Sequence, residues 1–280
     1  MERDPKYGAV LLCGGGSRRM GRAKALLPWR GKTMLEYVID TLATVTDQIV
    51  VVGAPGLTLP DLGSRARVVE DRVADKGPLA GIREGLEACP AEFAFVTATD
   101  APFLTAEFVR YLLSFDRAVA PEVDGYVQSL TAVYPTAAAA TAADLLARDR
   151  GRPLFLLEAC DYLRVGEAEL PSREPFRNLN NPDAYLAAVQ VEEGAATAEV
   201  EFLGTTRSRA DRATLTVPIG TVQQAVESIE SQCPAVSLRE GGALAPHYLL
   251  SFDGREFVRS LAAPLGPGER LLVMDAAAGG

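Results

Sequence analysis

Two hydrophobic periods alternate along the first half of this chain. Tyr7-Gly8-Ala9-Val10-Leu11-Leu12 is a short apolar run that stops at Cys13-Gly14-Gly15-Gly16, the pattern of a buried strand feeding a glycine loop. Thr33 then begins a T-x-x-E capping box closed by Glu36, and Leu35, Val38, Ile39, Leu42 and Val45 recur at helical spacing, which predicts an amphipathic helix. Further strand-like runs fall at 48–53, 67–70 and 93–99, with a helix-like stretch from Pro78 to about Cys89 before the last of them. Strand–helix alternation predicts an α/β domain with a parallel sheet covered by helices. Ligands of such sheets gather beyond the carboxyl ends of the strands, where Gly14, Asp71 and Asp100 would lie.

The pattern then changes. Two extended runs flank Asp124-Gly125 between Ala118 and Pro135 and predict an antiparallel pair at one edge of the sheet. An alanine-rich helix is expected over 137–148, and Asn181 is placed to cap a helix that opens on Pro182 and ends near Gln190. Glu192-Glu193-Gly194-Ala195-Ala196 has no periodicity and reads as a linker, giving domains 1–192 and 197–280. Beyond it come strands at 198–203 and 214–219, a helix opened by a Thr221…Gln224 capping box, a strand at 248–252, the turn Asp253-Gly254 and a strand at 270–274. Two strands, a helix and further strands in so short a span predict a smaller β-grasp (ubiquitin-like) domain.

Composition narrows the function classes. The 280 residues are 48% hydrophobic and 23% charged, as in ordinary globular protein. No apolar run approaches the ~20 residues that span a bilayer, and the first five residues lack the apolar core of a signal peptide, so a cytoplasmic protein with no membrane partner is expected. A net charge of −9 argues against a nucleic-acid partner, although a locally basic site could still take an anionic substrate. Cys13, Cys89, Cys160 and Cys233 form no CxxC pair and read as reduced thiols, and His247, the only histidine, has no ligand-spaced neighbours.

The candidate chemistry begins at Leu12-Cys13-Gly14-Gly15-Gly16-Ser17-Arg18-Arg19-Met20-Gly21-Arg22-Ala23-Lys24. Glycines let backbone N–H groups approach phosphate closely, and Arg19 and Lys24 can neutralise a triphosphate. The loop is neither a Walker A motif nor a dinucleotide fingerprint. Asp100, in Thr97-Ala98-Thr99-Asp100-Ala101-Pro102, stands where a buried strand ends, a position from which a carboxylate can hold Mg²⁺ against nucleotide phosphates.

Taken in order, LxxGGxxRRMGxxK, Gly77-Pro78-Leu79-Ala80-Gly81, the D-x-P at Asp100 and Asn178-Leu179-Asn180-Asn181-Pro182 resemble the molybdenum cofactor guanylyltransferases, over about Tyr7 to Gln190. That resemblance implies a Rossmann-like nucleotidyltransferase that uses GTP, Mg²⁺ and Mo-molybdopterin. It also implies that Leu12, Cys13, Gly14 and Gly15 contact the nucleotide, Lys24 its phosphates, Asp71 the nucleoside and Asp100 the metal, with Asn178 and Asn180 on the pterin side. Lys24, Asp100 and Arg19 would be the catalytic set. Two positions depart from the related pattern: Gly53 stands in place of an asparagine and Cys13 in place of an alanine. The molybdopterin cytidylyltransferases and the sugar-1-phosphate nucleotidyltransferases share the glycine loop and the acid, and remain alternatives.

From about Ala198 to Gly280 the chain resembles the small, ubiquitin-like sulfur-carrier subunit of molybdopterin synthase, on the Leu271-Leu272-Val273-Met274 strand and the ending Ala278-Gly279-Gly280. The resemblance implies that Gly280 is adenylated and converted to a thiocarboxylate. The partners it implies are the synthase's large subunit and an E1-like adenylating enzyme, with molybdoenzymes or molybdenum-insertion proteins further along. A thiamine-pathway carrier and an interaction domain that is never thiolated are the alternatives for this half.

Overall fold

The periodicities of the first half become strands and helices almost where they fall. In the computed structural model residues 4–14, 19–71 and 77–276 are described. The chain divides into two units, Met1–Gly15 with Met34–Asn178, and Gly16–Thr33 with Leu179–Gly280.

The first unit is built on strands β1 (Tyr7–Cys13), β2 (Ile49–Gly53), β3 (Arg67–Glu70), β4 (Phe93–Ala98), β5 (Val119–Val123), β6 (Ala132–Pro135) and β7 (Leu163–Gly166). Among the described residues they form one sheet in the order β7-β5-β6-β4-β1-β2-β3, with Tyr126–Val127 paired to β5. The β4-β1-β2-β3 block is parallel, with Ala9 level with Ile49 and with Phe95, and β6 runs antiparallel to β4. Helices α1 (Met34–Ala43), α2 (Pro78–Ala88), α3 (Ala106–Leu113), α4 (Ala138–Ala147) and α5 (Pro153–Ala159) cover it. Because successive strand residues point to opposite faces, Val10, Leu12, Val50 and Val52 face a core with Leu79, Ile82 and Leu86 of α2 and with residues of α4 and α5. Helices α1 and α3 pack on strands of the same sheet.

Several expectations change. The pair around Asp124-Gly125 forms, with φ of 51° and 79° at the turn. It is not at the edge, because β7 pairs parallel to β5 outside it. That strand is nearly invisible in the sequence, since of its four residues only Val165 is buried. The short helices α3 and α5 also lie outside the expectation; Thr105 caps α3 by accepting the Phe108 N–H at 3.2 Å.

In the second unit Pro28–Trp29 and Lys32–Thr33 form a small hairpin turning on Arg30 and Gly31, both at positive φ. Helix α6 (Pro182–Glu193) opens as expected, with Asn181 Oδ1 accepting the Ala184 N–H at 2.8 Å, but runs three residues past Gln190 to end at Gly194, φ 73°. The linker thus shrinks to three residues. Strands β8 (Thr197–Phe202), β9 (Thr214–Pro218), β10 (Tyr248–Phe252), β11 (Glu256–Phe257) and β12 (Arg270–Asp275) follow, with α7 (Gly204–Ala210) and α8 (Val222–Gln232) between them. Their sheet order is β9-β8-β12-β10-β11, with β8 and β12 parallel and the other pairs antiparallel. The expected capping box is present: Gln224 N–H donates to Thr221 Oγ1, and Thr221 N–H to Gln224 Oε1 at 2.8 Å. One core joins Val226 and Ile229 of α8 to Val200, Phe202, Val217, Leu250, Phe252, Leu271 and Val273. All four cysteines are free, and no helix among the described residues is long and apolar enough to cross a membrane.

Candidate active site

The first unit brings Leu12, Cys13, Gly14, Asp71 and Asp100 to the carboxyl ends of adjacent parallel strands. Leu12 and Cys13 close β1, buried, and Gly14 emerges exposed just beyond. Backbone bonds tie these ends together: Ala54 N–H donates to Cys13 O at 3.1 Å, Thr99 N–H to Leu12 O at 3.2 Å, and Asp71 N–H to Gly53 O at 2.8 Å. Asp71 follows β3 directly and Asp100 lies two residues past β4; both are half-buried. Helix α2 comes close to this edge through Gly81, where a methyl group would stand 3.3 Å from Leu12 Cδ2 and 3.8 Å from Asp71 Oδ2. Gly77, which precedes Pro78, holds φ 76°, a conformation that favours glycine and lets the helix start abruptly.

Beyond the ends of β2 and β3 lies an open cavity of about 570 Å³, lined among others by Gly53, Ala54, Leu57, Leu59, Asp61 and Glu70. Gly53 contributes backbone only to this lining. Cys13 is a spectator in chemical terms: burial pushes its thiol up to about 12, leaving it protonated and unreactive at neutral pH.

Of the residues in the second unit, Arg19 is exposed, and Lys24 opens a short 3-10 turn with its Nζ donating to Asn180 Oδ1 at 2.9 Å. That bond joins two residues singled out from separate motifs. Asn178 ends the first unit, exposed, while Leu179 is buried in the second, so the Asn-Leu-Asn motif is divided between them. Gly15 and Gly280 lie outside the described residues. The His247 ring lies beside that of its neighbour Tyr248, centres 4.5 Å apart and tilted by 42°, and no group of three or more metal-ligating side chains occurs among the described residues. Sequence reasoning passed over Arg22, which is buried although it stands between Gly21 and Lys24. Its place inside the glycine-loop motif marks the segment, but nothing beside it in the sequence marks the side chain as buried.

Comparison with known proteins agrees with this geometry. Residues 9–161 match the MobA-like NTP transferase domain. A probable molybdenum cofactor guanylyltransferase of Mycobacterium avium is 36% identical over 190 residues, covering 65% of this chain and 94% of that protein. One from Bacillus cereus is 30% identical over 192 residues, covering 65% and 96%. The crystal structure of molybdopterin-guanine dinucleotide biosynthesis protein A from Archaeoglobus fulgidus aligns with a TM-score of 0.54 at 26% identity, over 66% of this chain and 97% of that one. A mixed sheet with acids at the carboxyl ends of its parallel strands, matched in fold and sequence over this length, identifies the chain as a nucleotidyltransferase belonging to the MobA-like NTP transferase family.

Proposed function

We propose that this chain transfers GMP from GTP to Mo-molybdopterin, forming molybdopterin guanine dinucleotide and pyrophosphate. The observation that carries the reading is the convergence of Gly14, Asp71 and Asp100 on one sheet edge in a chain 36% identical to a probable guanylyltransferase. A terminal phosphate oxygen of molybdopterin attacks the α-phosphorus of GTP; a P–O bond forms there, the α–β anhydride bond breaks, and pyrophosphate leaves. The attacking phosphate is already ionised, so no general base is needed, and the protein's task is alignment and charge screening.

In this reading Gly14 and Gly15 bring backbone N–H groups to the nucleotide, Asp71 takes the nucleoside, and Lys24 and Arg19 meet the phosphates. Asn180, bonded to Lys24, orients that amine and with Asn178 faces the pterin substrate. Mg²⁺ commonly binds through one or two carboxylates plus substrate phosphates and water, so the single half-buried Asp100 at a strand end fits it. Bound there, the ion would supply charge neutralisation for the triphosphate.

For the second half, the strand order β9-β8-β12-β10-β11, with α8 packed on the sheet, supports a β-grasp fold, and the sulfur-carrier reading rests on that fold together with the Gly279-Gly280 ending. We assign domains 1–192 and 197–280 to the two activities, with Gly280 the carboxylate that an E1-like enzyme adenylates and molybdopterin synthase's large subunit receives as thiocarboxylate. Incubation with Mo-molybdopterin and either GTP or CTP, followed by product analysis, tests the transferase; a dinucleotide formed only from CTP refutes guanylyl selectivity. Intact mass after treatment with an activating enzyme, ATP and a sulfur donor tests the carrier. A residue appended after Gly280 is expected to abolish the gain of sulfur and leave nucleotidyl transfer unchanged.

A further inference from the structure

Arg22 is two residues from Lys24 in a cationic segment, yet its side chain is only 3% exposed. Nη1 and Nη2 donate to the two carboxylate oxygens of Glu269, each at 2.8 Å, and Nη1 also lies 3.2 Å from Pro264 O. The guanidinium carbon sits 3.7 Å from the centre of the Phe252 ring. Glu269 is equally buried, and its Oε2 accepts the Gly266 N–H at 2.7 Å. Next along the chain, Ala23 N–H donates to Glu256 Oε1 at 3.2 Å, and Glu256 Oε2 is 3.6 Å from Arg22 Nε. Gly21 turns at φ 74°, where a methyl group would stand 3.1 Å from the side chains of Ser260 and Ala263. On the other side of Lys24, Pro28 O accepts the Tyr185 O–H at 2.6 Å. Residues 252–269 therefore hold the two positions that precede Lys24. The relatives at 30–36% identity correspond to the N-terminal 65% of this chain, so the clamp comes from the part that they do not match.

We propose that Arg22 is a positioning residue: clamped by Phe252 and Glu256 of the C-terminal sheet and by Glu269 just before its strand β12, it fixes the backbone that presents Lys24 to the nucleotide triphosphate, so that nucleotide binding depends on the carrier-like domain. This rests on the reading of Lys24 as a phosphate ligand. Arg22 and Glu269 touch no substrate; they act through Lys24.

The test uses the full chain with three substitutions and GTP itself as the probe. Arg22→Lys keeps the charge and loses the fork. Glu256→Ala removes the half-buried partner on a two-residue edge strand and leaves the buried pair in place. Glu230→Ala is the control, breaking one of the two ion pairs of Arg239 and the Leu238 and Arg239 N–H contacts elsewhere in the same unit. Arg22→Lys and Glu256→Ala are expected to speed amide exchange in residues 20–24 and to weaken GTP binding by about tenfold or more, the scale of one misplaced charge-assisted contact. Glu230→Ala is expected to lower stability with the GTP dissociation constant unchanged. Unchanged exchange and an unchanged GTP dissociation constant in both clamp variants overturn the proposal, as does an equal loss in the control. A wild-type chain that binds GTP and forms no dinucleotide refutes the transferase reading instead, and the dissociation constants still decide this one.

Discussion

Gly85 offers a test in which two opposing magnitudes must be weighed. It lies inside α2, and a methyl group there would stand 2.2 Å and 3.0 Å from the two γ-carbons of Val10 and 3.1 Å from Val52 Cγ2. In an open helix Gly→Ala stabilises by about 1 kcal/mol. Here the nearest carbon is far inside the ~3.5–4.0 Å of a favourable contact. Val10 is fully buried in β1 and β-branched, so it has no free rotamer to escape into. Either the helix or the strand must shift, and overpacking of this kind costs about 1–3 kcal/mol or more. At 2.2 Å the cost falls at the upper end of that range, about 2–3 kcal/mol, so steric cost wins and Gly85→Ala is expected to lower stability by about 1–2 kcal/mol after the propensity gain. Gly81→Ala, one turn earlier, comes within 3.3 Å of the end of Leu12, with Val52 and Asp71 at ordinary contact distances of 3.7 and 3.8 Å, and is expected to be close to neutral for stability. The probe matters: the chain's single tryptophan, Trp29, is buried in the second unit and reports on that unit. Urea unfolding followed by amide exchange in β1 and α2 reads the first unit directly. A Gly85→Ala protein whose β1 amides unfold at the same or higher urea than wild type refutes the reasoning.

Asp100→Asn is nearly isosteric and is expected to leave unfolding unchanged while cutting metal-assisted transfer strongly; near-normal turnover removes Asp100 from the metal role. Lys24→Ala is expected to cost about 2–4 kcal/mol of transition-state stabilisation, by analogy with loss of an oxyanion donor, read from kcat/KM. Cys13 gives a pH signature. Its thiol ionises at about 9 unfolded and about 12 folded, so the folded state binds the proton more tightly, and its stability contribution is complete below pH 9 and lost between pH 9 and 12, at up to about 1.4 kcal/mol per pH unit. Cys13→Ala is expected to flatten that slope in urea titrations of the first unit; an identical slope removes Cys13 as its source.

What the sequence makes legible depends on how far apart the interacting residues are. Arg67–Glu70 and Tyr248–Phe252 match the expected strands to the residue, because their limits are set by turn chemistry beside them, such as Asp253-Gly254 at positive φ. The helix on Pro182 is read from its own cap. By contrast β7 buries one side chain in four and leaves no periodicity to read, and α3 is two turns long. The site divides the same way. Gly14, Asp71 and Asp100 follow from the rule that ligands gather at the carboxyl ends of parallel strands. The Lys24–Asn180 bond joins two motifs that the sequence indicates separately, without indicating that they meet. Arg22 is the hardest case, since its partner Glu269 lies 247 positions away and nothing local distinguishes a buried arginine from a solvated one.

Burying that pair is a poor route to stability, because desolvation of two ions offsets most of their attraction, and a well-packed apolar pair would serve as well or better. Its contribution is to register. Met20 and Ala25 are buried in the same segment, but apolar burial is non-directional and fixes no orientation by itself. A fork that must meet two carboxylate oxygens and a carbonyl, over an aromatic face, accepts one placement of the backbone. A slip of one residue would put Gly21 or Ala23 where Arg22 sits, strand the buried Glu269 without its counter-charge at a cost of about 3–5 kcal/mol, and carry the Lys24 amine away from Asn180. A phosphate-binding lysine on a long flexible stem needs its backbone fixed more than its side chain, since the ammonium can rotate to a phosphate only from within reach. The ion pair fixes that backbone two residues before the lysine, and its acid, Glu269, comes from the part of the chain that the matched guanylyltransferases do not cover.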